Sequence, residues 1–288
     1  MKKIFILSIA IIAMAACSKE QATQAPSDEI RFAVSHPSAG TRATSSAFEA
    51  DDAVSLYAVE YEGDTQMPLQ LGGNYLNNER LRFNGTSWSA GRTLYWSNSA
   101  CDFYALYPYQ SNINFIERHP FSLALNQNGA GYDNSDLMFA SAVKVTRAGG
   151  PVALDFKHML SKVVVRLVKG PQFEGEIPDD VVTHIYNTHV DCYINFTTGS
   201  IEKDAFGAKR TITMKKISNQ EFEAVVVPQN IEKRTPLIEV TMGGIAYLLE
   251  YSMAFRPGYK HTINLTLNTS PDQEQIEISI DTGYGGWN

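Results

Sequence analysis

A chain of 288 residues with 24 basic and 31 acidic side chains has length for one large or two medium domains. Its acidic balance, with no cluster of lysine and arginine, removes any electrostatic reason to bind nucleic acid. Only 19% of residues are charged, while 14 tyrosines and 14 phenylalanines are present, a balance that argues against disorder and for an exported β-rich protein.

The N-terminus opens with Lys2-Lys3 and an apolar run over residues 4–14, then Ala15-Ala16-Cys17-Ser18. That layout is an export signal with small residues at its cleavage point. The run is too short for a spanning helix and is followed at once by Ser18, Lys19 and Glu20. A cysteine directly after the small residues is the mark of a bacterial lipoprotein. Cys17 is therefore expected to carry lipid and to begin the mature chain; the bland alternative is an ordinary signal with a chance cysteine. Each buried methylene contributes about 0.8 kcal/mol, so one acyl chain holds reversibly and two or more hold firmly. Removing residues 1–16 takes two lysines and no acid, which moves the formal net charge from −7 to −9.

Residues 17–29 read as a polar spacer. Alternation then begins at Ile30, Phe32 and Val34, and breaks at the small polar segment 38–46. Further strands are expected at residues 54–61 and 102–107, the second ended by Pro108, with a hairpin at 81–88 turning on Asn84-Gly85. In the second half Val163, Val165 and Leu167 share a face, and Phe222, Ala224 and Val226 alternate. Residues 247–255 and 259–268 look like an antiparallel pair joined by Arg256-Pro257-Gly258, with Tyr259, His261, Ile263, Leu265 and Leu267 on one side. No window supports an amphipathic helix of ordinary length. The expectation is an all-β chain of short strands in sandwich architecture. A break near residues 147–151 divides it into an N-terminal domain at 30–157 and a C-terminal domain at 158–288.

Chemistry-bearing motifs are scarce. Cys101 and Cys192 lie far apart and read as buried free thiols. The six histidines show no metal-ligand spacing, and His158, beside Leu154, Phe156 and Leu160, reads as a hydrogen-bonded structural residue. Asp133-Asn134-Ser135-Asp136 offers oxygen ligands at alternate positions, but a turn leading into a strand accounts for the same residues. No nucleophile has a base partner and no glycine loop cradles phosphate, so neither an enzyme nor a cofactor is expected. Trp88, Tyr95, Trp96, Tyr104, Tyr107 and Tyr109 admit two readings: core aromatics, or the platform of a permanently tethered glycan-binding lipoprotein of a polysaccharide-uptake system.

Several fragments in order carry a family likeness: Ala15–Cys17, residues 40–44, Trp96 with residues 102–108, residues 135–138, residues 154–163, residues 227–229 and residues 255–259. In these the chain resembles the fimbrillin family of Bacteroidetes lipoproteins, major- and minor-fimbrium-like subunits of type V pili. The resemblance implies two tandem transthyretin-like Greek-key β-sandwich domains. It also implies an outer-membrane precursor at the cell surface that is cut after an arginine in the first loop and polymerises with other pilus subunits by strand addition. Arg42, in the small-residue loop after the first strand, is the candidate cut site; an ordinary exposed arginine is the alternative. Ile276, Ile278 and Ile280 form three apolar teeth at period two, suited to a donor strand and equally to the last strand of the chain's own second domain. Expected partners are other subunits, membrane lipid through Cys17, and a host or bacterial surface ligand.

Overall fold

The computed structural model describes residues 28–37, 47–97, 100–268 and 278–287. They form a chain of many short strands with one helix of six residues, Ala130–Ser135, and one 3-10 turn, Arg147–Gly149. The all-β expectation holds.

Two hydrophobic cores organise the strands. The smaller is built on a mixed-length sheet whose order is Lys157–His158, Met138–Val145, Cys101–Tyr107, Ala53–Glu62, Leu76–Phe83 and Trp88–Ala90. Val54, Leu56, Leu81 and Phe103 fill it, and the first strand, Phe32–Ser35, closes it together with Val152–Asp155. The larger core lies among the sheets of the second half. One runs in the order Lys215–Lys216, Glu221–Val226, Ser161–Lys169, Tyr259–Leu267, Ile278–Gly286; another runs Lys209–Thr213, Val182–His189, Pro236–Met242, Ile245–Glu250.

The strand Ala53–Glu62 serves both cores. Val54, Leu56 and Ala58 point to the smaller one, while Tyr57 and Val59 point to the larger. Successive side chains of a strand face opposite ways, so a sheet covered on both faces is buried at every position rather than at alternate ones. Residues 53–59 are accordingly all buried. The strand Cys101–Tyr107 repeats the arrangement, with Phe103 on one side and Tyr104 and Leu106 on the other.

The halves are also stitched by backbone. His119–Ser122 pairs with Asp191–Ile194, in a three-stranded sheet completed by Ile201–Lys203. The ring of Tyr57 meets that of Phe196 at 5.7 Å. Gly199, at φ +66°, lies so close to the Phe139 ring that an added Cβ would sit 2.3 Å from it. Only glycine suits that position.

Two local expectations are corrected. Residues 247–255 and 259–268 do not pair with each other. Ile245–Glu250 pairs with Pro236–Met242, Met253–Phe255 with Gln229–Ile231, and Tyr259–Leu267 runs parallel to Ser161–Lys169. The turn at Arg256-Pro257-Gly258 carries the chain between sheets instead of closing a hairpin. Its predicted buried face is nonetheless correct for His261, Ile263, Leu265 and Leu267, whereas Tyr259 is 37% exposed. The hairpin at Asn84-Gly85 does form, but as a longer loop in which Phe83 faces Trp88. Asn84 caps it by accepting hydrogen bonds from the amides of Thr86 and Ser87.

Candidate functional site

Cys17, Arg42 and Ile276 lie outside the described residues. What flanks Arg42 is described: Phe32–Ser35 before it and Phe48 after it.

The first strand is held along one edge. It pairs in parallel with Val152–Asp155, from Phe32 opposite Val152 to Ser35 opposite Asp155. Its exposure alternates, with Phe32 and Val34 half-buried and Ala33 and Ser35 exposed. Ile30, just before it, is buried, and Phe32 packs edge-on against Phe103 at 6.2 Å. Ahead of the strand, the Ile30 and Trp96 amides donate to Leu94 and Asp28. Beyond that point the chains diverge. A cleft of about 490 Å³ is lined by Ile30–Phe32 on one side and residues 87–94 on the other, and the first strand forms no ladder with Trp88–Ala90.

The described residues on either side of Arg42 pack together. His36 and Phe48 meet edge-on at 4.9 Å. Phe48 sits among Trp88 at 4.9 Å, Tyr107 at 5.5 Å and Phe156 at 5.6 Å. Beside it a pocket of about 300 Å³ is lined by His36, Phe48, Asp52, Tyr107, Asp133 and Asp136. Tyr107 donates its hydroxyl to Asp52 at 3.1 Å, and burial pushes that phenol's pKa up. Burial likewise lowers the pKa of His36.

The acidic run 133–136 lies at the end of the short helix. Asp136 is committed to His158, whose Nδ1 lies 2.8 Å from its carboxylate, and both side chains are nearly sealed from solvent. Ser135 donates to the Gly131 carbonyl and accepts from the Ala124 amide. Among the described residues no group of three metal-ligating side chains gathers. His158 is thus hydrogen-bonded, in keeping with its sequence context.

The chain end returns to this place. Ile278–Gly286 pairs antiparallel with Tyr259–Leu267 over nine positions, Leu267 opposite Ile278 and Tyr259 opposite Gly286. Ile280 is half-buried against the larger core. Trp287 is 3% exposed and lies flat on His158, ring centroids 3.7 Å apart and planes 6° from parallel. No local pattern in the sequence pairs the two rings, because 129 positions separate them.

The aromatic run is dispersed. Tyr104 is buried, with its hydroxyl accepting from Gln66 at 2.7 Å. Trp88 stacks on Phe83, Trp96 meets Phe103 edge-on, and Tyr95 is 59% exposed. Cys101 and Cys192 are buried, and burial raises the pKa values of their thiols to about 11 and about 12.

Residues 41–282 match the family model described as fimbrillin-like. The chain belongs to the fimbrillin-like family. No curated protein matches its sequence. Among solved structures, this fimbrillin-like chain is similar to two proteins inferred to act in cell adhesion. For the one from Bacteroides uniformis ATCC 8492, the TM-score is 0.68 at 20% identity, covering 90% of this chain and 98% of that one. For the one from Bacteroides ovatus ATCC 8483, it is 0.68 at 18% identity, covering 90% and 97%. A fimbrial protein from Bacteroides vulgatus ATCC 8482 aligns with a TM-score of 0.55 at 15% identity, covering 90% and 99%. At these identities the likeness establishes a shared fold.

Proposed function

We propose that this fimbrillin-like chain is a structural subunit of a cell-surface pilus, exported as a lipoprotein on Cys17, cut after Arg42, and joined to its neighbours by strand exchange. Family membership supports the pilus role. The observation that carries the mechanism is the attachment of the first strand. It covers the smaller core through Ile30, Phe32 and Val34, yet its backbone is held only by one two-stranded parallel pairing and by the bonds that link residues 28–30 to residues 94–96 just ahead of it. Loss of that strand leaves a groove floored by Val152, Leu154 and Phe103, with a free backbone edge at Val152–Asp155. Three apolar side chains at period two would vacate it. The terminal Ile276, Ile278 and Ile280 supply three at the same period.

Recovery of the protein from the cell surface, followed by N-terminal sequencing and mass measurement, tests the pathway. A chain starting at Ala43 supports it. A lipidated chain starting at Cys17 on assembled pili overturns the cut. Deleting residues 275–288 should stop polymerisation while leaving a folded monomer, and normal polymers from that variant would sink the donor assignment.

A further inference from the structure

Three segments singled out in the sequence, and not used by the strand-exchange reading, meet at one point: Asp136, His158 and the Arg256-Pro257-Gly258 turn. Their common occupant is Trp287. The His158 ring forms the floor, oriented by Asp136 at 2.8 Å, and the indole stacks on it at 3.7 Å. The Trp287 amide donates to the Gly258 carbonyl at 2.9 Å, and the Gly258 amide donates to Leu160 at 2.8 Å. Gly258 has φ +70°, a conformation that lets the turn present its carbonyl there. The His36 ring, one residue past the first strand, stands edge-on to His158 at 5.6 Å.

Beyond its backbone ladder with Tyr259–Leu267, the terminal strand is held by few side-chain contacts, among them Thr282 to the Tyr251 hydroxyl at 3.1 Å and Tyr284 beneath the Arg256 guanidinium at 5.4 Å. Of its described side chains, Ile280 and Thr282 are half-buried, Asp281 and Tyr284 are exposed, and three positions are glycine. Trp287 alone among residues 280–287 is buried. A glycine-rich edge strand has high entropy when free and contributes few packed side chains. Its backbone ladder therefore needs an anchor, and the indole is it.

We propose that the His158–Asp136–Gly258 seat is a binding site for the chain's own Trp287, which keeps the terminal strand on its own domain, and that His36 helps to close it. The consequence rests on the strand-exchange reading. When the first strand leaves, His36 leaves with it, His158 meets water, and the terminal strand is freed for another subunit. Processing thereby arms the donor.

Hydrogen exchange read by mass spectrometry on the uncut monomer tests the seat without requiring any polymer. Trp287→Ala should raise exchange at residues 278–287 about tenfold or more, while Ser161–Lys169 and Glu221–Val226 keep their protection. Trp287→Phe should retain most of it. His36→Ala, and the chain cut after Arg42, should each raise exchange at the same residues by a smaller factor. Unchanged exchange in Trp287→Ala overturns the seat, and so does a rise that extends equally to Glu221–Val226, since the indole would then be holding the domain. Unchanged exchange in both His36→Ala and the cut chain overturns the coupling. A chain that obeys all of this and never polymerises keeps the seat and discards strand exchange.

Discussion

The side-chain amide of Gln127 docks on the backbone of Val225 as a peptide unit would. Its Nε2 donates to the Val225 carbonyl at 2.8 Å, and its Oε1 accepts from the Val225 amide at 2.7 Å. Gln127 is fully buried, and the pairing joins residues 98 positions apart. Replacing Gln127 with leucine should therefore cost about 1–3 kcal/mol for each backbone group left unpaired. Denaturant titration reads this directly, and a loss below about 0.5 kcal/mol would show that water takes over the role.

Lys162 and Glu223 form an ion pair at 2.8 Å, their side chains 8% and 3% exposed. Removing one partner strands a buried charge, so Glu223→Ala should cost about 3–5 kcal/mol. Exchanging both for apolar residues, Lys162→Met with Glu223→Leu, should come out close to neutral. A double variant as unstable as the single one would mean the pair contributes more than it costs to desolvate.

Burial lowers the pKa of His36, His119 and His261 below the ordinary 6.5, and the Arg256 charge adds to the effect at His261. Such groups stay neutral in the folded chain while their unfolded counterparts take up protons. Stability is then complete above about pH 6.5 and falls as the pH drops below it. At His119, burial acts on a ring neither of whose nitrogens has a hydrogen-bond partner. His119→Leu should flatten the acid-side loss between about pH 6.5 and pH 5. The same slope in both proteins would clear His119.

Gly199→Ala tests the close approach of the Gly199 turn to Phe139 of the larger core. The substitution puts a Cβ at positive φ and into the Phe139 ring. A loss of about 1–3 kcal/mol is expected from thermal or denaturant unfolding. An unaltered midpoint would mean that Phe139 moves aside freely.

Cutting the chain after Arg42 and separating the first strand should uncover Val152 and Leu154, both fully buried in the intact chain. A dye that reports apolar surface, such as ANS, should brighten on the cut chain and lose that signal on adding a peptide spanning residues 272–288. No brightening would mean the remaining strands close over the gap.

Pattern reading reached far where burial is one-sided. The face that holds His261, Ile263, Leu265 and Leu267 was legible because a half-buried strand repeats every second residue. His158 was legible as a structural histidine from its apolar neighbours. Pairing was not legible. Residues 247–255 and 259–268 have the pattern of adjacent strands, yet they join different sheets, because alternation says which face is buried and nothing about which strand lies alongside.

The sequence by itself determined the all-β class, the positions of many strands and the family, since these depend on local periodicity, turn chemistry and short motifs. Only the tertiary structure decided that Ala53–Glu62 serves two cores, that Gln127 completes a distant strand, and that Trp287 comes to rest on His158. Each of those depends on contacts between residues far apart in the chain, and no local pattern encodes the partner.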